Sequence, residues 1–172
     1  VQEELRRGRL EVAMIAVTQV NTEGLEVTPV ARDELVYLSA DPSRLRSPVT
    51  ADRLARASLV MPETTWRATD STRVILRRML HETGYTPTTR IEVEDVETAV
   101  ELVGLGLADS VVHRGVATQL LPRLAPNAGH VSLRPKQFDT LAIVHRSPAT
   151  LSPAARLMRE LAPHRIPAVA AP

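Results

Sequence analysis

A chain of 172 residues with 44% apolar content and a formal net charge of +1 has the make-up of an ordinary globular protein, long enough for one domain or two small lobes. That charge balance excludes an electrostatic footprint for nucleic acid or an anionic membrane surface, and no window approaches the roughly 18 consecutive apolar residues of a membrane span. With no cysteine, disulfides, thiolate nucleophiles, Fe–S clusters and cysteine zinc sites are excluded; with Tyr37, Trp66, Tyr85 and Phe138 as the four aromatic residues, so is a base-stacking platform.

The chain opens inside an apparent helix in which Leu5 is flanked by charges and Gly8 is the stop. It begins without an initiator Met, and its order of charged and apolar residues is not that of a signal peptide, which predicts a cytoplasmic fragment whose upstream part is absent. Residues 10–17 are nearly all apolar and predict a strand covered on both faces. Residues 25–30 and 34–39 predict two further strands. After a polar link at 41–44 comes a short helix with Thr50 as N-cap, Val49 and Leu54 being spaced as a hydrophobic staple. Residues 58–61 then read as a strand.

A loop at 62–68 enters a helix capped by Thr69 or Asp70, with Ile75, Leu76, Met79 and Leu80 as its buried stripe and Gly84 and Pro87 as its stop. Residues 89–94 read as a strand. The clearest signal follows: Asp95 as N-cap, Glu97 in the first turn, and Val96, Ala99, Val100 and Val103 on one face of a 3.6-period helix. Gly104 or Gly106 supplies the left-handed stop. Residues 110–113 predict a buried strand, 115–121 a short helix broken at Pro122, and 130–134 and 140–144 two strands. The last helix has Ser152 as N-cap, Pro153 at its first position, Ala154, Leu157, Met158 and Leu161 on one face, and Pro163 beyond its end. The Ala/Pro-rich tail, 166–172, is expected to fray. Strands alternating with helices over the whole length predict an α/β protein with a parallel or mixed sheet.

Motifs of catalysis are weak. Gly104-Leu105-Gly106 closes a helix and precedes a strand, the reverse of a dinucleotide-binding loop, so no cofactor is predicted. The five histidines are scattered and predict no metal site. Ser110 and His113 are the nearest nucleophile–base pair, but three residues apart on a strand they point to opposite faces. Trp66, in a loop beside Thr64 and Thr65, either walls a ligand pocket or packs over the sheet edge.

In order and spacing, several weak motifs together resemble the effector-binding region of LysR-type transcriptional regulators. They are Arg7-Gly8-Arg9-Leu10-Glu11-Val12-Ala13-Met14, Val30-Ala31-Arg32-Asp33-Glu34-Leu35-Val36, Leu76 with Gly84-Tyr85-Thr86-Pro87, the Leu102-Val103-Gly104-Leu105-Gly106 helix end, and Leu151-Ser152-Pro153-Ala154-Ala155-Arg156. The resemblance covers nearly the whole chain. It implies two Rossmann-like lobes of the type-II periplasmic-binding-protein kind joined by two crossover strands, here 1–60 plus 142–172 as lobe I and 61–141 as lobe II. Against the family pattern, the winged helix-turn-helix and the first strand are absent, Glu11 replaces an Asp, and Val112-His113-Arg114-Gly115 replaces a Leu-Pro strand end, making the cleft more polar or cationic.

The function so implied is ligand sensing and oligomerisation in a DNA-binding regulator, not catalysis. The resemblance implies a small, anionic effector between the lobes near Val17, Thr18, Thr64, Thr65, Trp66, Asp95, Val96 and His113, since free N–H groups at helix starts near Thr69 and Asp95 suit a carboxylate. It implies a homodimer, or a tetramer in the full-length protein, through Leu5, Val12 and Met14 on one surface and Val116, Leu120, Leu124 and Val131 on the other. DNA would be bound through the absent N-terminal helix-turn-helix alone, and no membrane is engaged. The rivals are a transporter's solute-binding protein of the same fold and a small α/β enzyme.

Overall fold

The computed structural model describes residues 1–18, 21–62, 71–85 and 89–165. In chain order its elements are α1 (Gln2–Arg6), β1 (Val12–Ala16), β2 (Glu26–Ser39), β3 (Val49–Thr50), α2 (Ala51–Ala55), β4 (Leu59–Pro62), α3 (Ser71–His81), β5 (Thr89–Val93), α4 (Val96–Gly104), β6 (Ser110–His113), α5 (Arg114–Leu124), β7 (Gly129–His145) and α6 (Pro153–Arg165), with short 3-10 turns at Pro42–Leu45 and Pro148–Thr150. The chain divides into two compact units, Val1–Asp33 with Asp139–Pro172, and Glu34–Phe138. Residues 34–60 therefore belong with the second unit, not with the first as expected. The reason is packing: Leu35, Tyr37, Val49 and Leu54 are buried in the same cluster as Ile75, Met79 and Val111.

In the second unit β5 and β4 pair in parallel, β4 bridges β6 in parallel at Leu59 and Asp109, and β6 pairs antiparallel with β2. Successive side chains on a strand face opposite ways, and here both faces are covered. Leu35, Tyr37, Leu59, Met61 and Val111 enter one cluster with α2 and α3, while Val36, Leu38, Val60 and Val112 enter a second with α4 and α5. β3 adds a parallel pairing to β7, Val49 opposite Leu133. The sheet is mixed, as its strand–helix alternation predicted.

Local signals hold where the end of an element is written in its own residues. The Thr50 hydroxyl accepts from the Arg53 N–H at 3.4 Å and the Asp95 carboxylate from the Thr98 N–H at 2.7 Å. Ile75, Leu76, Met79 and Leu80 are buried on α3, and Ala99, Val100 and Val103 on α4. Gly106, at φ 70°, takes the left-handed position, while Gly104 remains helical. The proposed caps Thr69 and Asp70, the stop Pro87 and the tail 166–172 lie outside the described residues.

Three expectations give way. The strands expected at 25–30 and 34–39 are one strand, β2, and those at 130–134 and 140–144 are one strand, β7. Their middles lack the glycine or Asn-Gly signal a turn needs and continue instead as strand. Pro122 and Pro163 sit inside α5 and α6, each third from the end, where a proline removes a bond from a turn that is already ending.

In the first unit β1 pairs antiparallel with the end of β7, Val12 opposite His145 through Ala16 opposite Leu141. Leu5, Ala142 and Val144 form a small buried core, with Ala13, Ile15 and Val17 packed against it. β1 is not covered on both faces: it stands at the end of its sheet, and Met14 is 44% exposed. The α6 face of Ala154, Leu157, Met158 and Leu161 is exposed as well, Leu157 at 53%, while Ala155 and Leu151 face inward. Ser152 caps α6 as predicted, its hydroxyl accepting from the Ala155 N–H at 3.3 Å and donating to Glu11 at 2.6 Å.

Candidate functional site

The parallel strands β4 and β5, and β6 beside them, end on the same side of the second unit, and helices start from those ends. Ligands of α/β folds bind outside the carboxyl ends of such strands. Here a cavity of about 330 Å³ occupies that position. Its apolar lining is Met61 and Pro62 from the end of β4, Val111 and Val112 from β6, and Val96 and Val116 from α4 and α5. Its polar lining is Ser71 and Thr72 from the first turn of α3, Glu94 and Asp95 before α4, and His113 before α5.

Three helix starts therefore meet at one cavity, and they are not alike. An uncompensated helix start carries free N–H groups and the positive end of a dipole. That of α4 is compensated by its own side chain: hydrogen bonding from Thr98 holds the Asp95 carboxyl below the usual carboxylate range, so it is an anion at neutral pH. This corrects the expectation that the helix start at Asp95 would receive an anionic ligand. At α5 the N-cap is His113, whose side chain makes no capping bond. Glu94 and Asp95 make the α4 wall of the cavity acidic, while Ser71, Thr72 and His113 line its α3 and α5 side.

Arg114, next to His113, fixes the start of α5. Its Nη2 and Nε donate to Oε2 of the buried Glu34 at 2.7 and 3.2 Å, and its Nη1 faces Nε2 of His130 at 3.1 Å. Burial raises the Glu34 carboxyl pKa, but bonds from Ser132 and Arg114 and the charges of Arg114 and Lys136 outweigh that and leave it lowered.

Of the expected ligand residues, Asp95, Val96 and His113 are brought together at this cavity. Thr64, Thr65 and Trp66 lie outside the described residues. Val17 and Thr18 belong to the first unit, where the Val17 N–H donates to the Thr140 carbonyl at 2.8 Å and the Thr18 hydroxyl accepts from the Thr140 N–H at 3.0 Å. Val116, expected at a dimer interface, lines the cavity instead. Leu5 and Leu120, expected there too, are buried within their own units. The Ser110 hydroxyl is buried and donates to the Val60 carbonyl at 2.8 Å, so it is no nucleophile for His113. Among the described residues no three His, Asp or Glu side chains are grouped to hold a metal, and no helix is long and apolar enough to cross a membrane.

Over residues 1–166 the sequence matches the model of the LysR substrate binding domain. The chain belongs to that family. Its fold is likewise that of LysR effector-binding domains, the type-II periplasmic-binding-protein-like α/β fold predicted from the sequence. It is similar to the effector-binding domain of QuiR in complex with shikimate, at 18% identity and a TM-score of 0.73 over 94% of this chain and 74% of that one. It is similar to the MetR regulatory domain from N. meningitidis, at 16% identity and a TM-score of 0.71 over 96% of this chain and 77% of that one. It is also similar to full-length CbnR complexed with its target DNA, at 19% identity and a TM-score of 0.69, covering 95% of this chain but 54% of CbnR. This LysR domain thus spans about half the length of a full-length regulator it matches. No curated protein matches it in sequence. The family is one of transcriptional regulators and not of enzymes, which decides for a regulator's effector-binding domain over a transporter's solute-binding protein.

Proposed function

We propose that this LysR domain binds a small effector with an apolar body and one acidic group in the cavity at the ends of β4, β5 and β6, and that occupancy sets the activity of a cytoplasmic DNA-binding regulator. The observation that carries the reading is the meeting of three helix starts around one apolar cavity, that of α4 capped by the Asp95 carboxylate. The acidic group goes to the side of Ser71, Thr72 and His113; the apolar body goes against Met61, Val111 and Val116. Glu94 and Asp95 repel a second acidic group placed toward α4, so monoacids are favoured over diacids. The regulator acts as a homodimer or tetramer, and DNA binding belongs to a helix-turn-helix outside this chain, whose own near-zero net charge gives it no phosphate-binding surface of the required size.

The test is calorimetric titration with a panel of small mono- and dicarboxylic acids, on the parent domain and on Val116→Phe, which fills the cavity from a half-buried position. Saturable binding of a monoacid by the parent, lost in the folded variant, is the expected result. Binding that Val116→Phe leaves untouched, or a preference for diacids, overturns the assignment. A helix-turn-helix encoded upstream in the same frame supports the regulatory role, and an export signal there refutes it.

A further inference from the structure

The chain is nearly neutral, yet residues 44–56 hold Arg44, Arg46, Arg53 and Arg56 against Asp52, a local formal charge of 4 − 1 = +3. Three of these arginines line a second cavity of about 310 Å³, together with Tyr37, Asp52 and Ser58. It shares no lining residue with the cavity described above. Its chemistry also differs, three guanidinium groups standing beside Val49 and Ala57.

Each guanidinium is held in place by partners of its own. Arg53 donates to main-chain carbonyls, Nη2 to Arg44 at 2.7 Å and Nη1 to Ser47 at 3.1 Å, so no carboxylate neutralises it. Arg44 bonds the buried Asp109 through Nη1 and meets Asp41 through Nε at 3.3 Å. Arg56 bonds Asp52 through Nη2 and is 74% exposed in its side chain. The acids are themselves tied down, since Tyr37 donates to Asp109 at 2.5 Å and Tyr85 to Asp52 at 2.6 Å. Arg44, Arg53 and Arg56 all line the cavity, and planar guanidinium forks match the geometry of tetrahedral oxyanions.

We propose that this cavity is a second binding site, for a phosphate-type oxyanion, either inorganic phosphate or the phosphate of a small metabolite. A dianion there takes charge-assisted bonds from Arg44 and Arg56 and offsets the uncompensated charge of Arg53. Asp52 excludes a carboxylate-rich ligand from the same place. The site is independent of the effector reading and can fail or stand without it.

The two tyrosines of the chain make the test specific, because both bond to acids of this cluster and neither lines the effector cavity. Protein labelled with fluorotyrosine gives two fluorine resonances, to be followed while inorganic phosphate is titrated at constant ionic strength against a chloride control. Both resonances are expected to shift saturably with phosphate and not with chloride. Arg56→Ala, on an exposed side chain, is expected to weaken binding about tenfold, the loss of one charge-assisted bond. Ser58→Asp, which adds a negative charge to the lining, is expected to abolish it. Glycerol phosphate binding more tightly than inorganic phosphate identifies a metabolite as the ligand, and equal binding identifies the free ion. Shifts matched by chloride, or saturable binding unchanged in both folded variants, overturn the proposal.

Discussion

Arg114 and Glu34, eighty positions apart, share one carboxylate oxygen: Nη2 and Nε of Arg114 both donate to Oε2 of Glu34. The pair ties the first residue of α5 to β2 and so holds His113 and Val116 at the proposed effector cavity. It also leaves Nη1 of Arg114 against Nε2 of His130, which can accept that bond only as a neutral imidazole.

That contact gives stability a pH dependence of defined sign. Burial first, and the charge of Arg114 second, push the His130 imidazole below its ordinary value of 6.5, with Glu34 partly opposing. A depressed histidine costs nothing above 6.5, where folded and unfolded chains both carry it neutral, and costs progressively more as pH falls from there to the folded value. Urea midpoints should therefore decline as the pH is lowered below 6.5, and His130→Gln should flatten that part of the curve. Glu34 acts in a separate window: its lowered carboxyl pKa stabilises the fold above the ordinary value of 4.5, and that contribution disappears as pH falls further. A decline below 6.5 that persists in His130→Gln would show that another group carries it.

Two neighbouring glycines should respond in opposite ways to asparagine. At Gly104, inside α4, an added Cβ would meet the Ala125 Cβ at 2.8 Å and its Cα at 3.1 Å, backbone that cannot swing aside. The overpacking costs about 1–3 kcal/mol, against a gain of about 1 kcal/mol in helix propensity for alanine. At Gly106 nothing lies within 4 Å, and the cost is the left-handed backbone alone, about 1–2 kcal/mol for alanine. Denaturation should thus find Gly106→Asn milder than Gly106→Ala, because asparagine tolerates that conformation, and Gly104→Asn worse than Gly104→Ala. The same ranking at both positions would contradict the packing seen at Gly104.

How much of this was legible depended on whether a feature is written locally. The α4 helix was readable because its cap, stripe and stop lie within twelve residues, and that reading delivered Asp95 and Val96 to the site. β2 and β7 were each read as two strands, since polar residues in the middle of a long strand carry the same composition as a loop. The rest of the cavity, Met61, Thr72, Val111 and Val116, comes from strand ends and helix starts far apart in sequence. A signal for it did exist: residues at the carboxyl ends of successive parallel strands converge once the strand order is known. The second cavity was harder still. Its arginines were visible as a local excess of charge, but only the fold places Tyr37 beneath them.

Self-association should follow the exposed apolar surface of the first unit, which includes the expected Met14, and not the expected Leu5 or Leu120, which are buried. Leu120 is 7% exposed and belongs to the cluster around α4 and α5, so a glutamate there would unfold the second unit before it separated two subunits. Among the described residues, Met14 and Leu10 on or beside an end strand, and Leu157, Met158 and Leu161 on α6, are the large apolar side chains left in solvent in the first unit besides Val1. An end strand also presents unpaired main-chain groups, and an apolar one invites pairing with another copy. Sedimentation at micromolar concentration should show a dimer burying about 1,200–2,000 Å². Met14→Lys and the pair Leu157→Glu with Leu161→Glu should shift it to folded monomer, with circular dichroism unchanged because these positions are exposed. A dimer that survives both changes lies on another surface, and a monomeric parent removes the proposal for this domain.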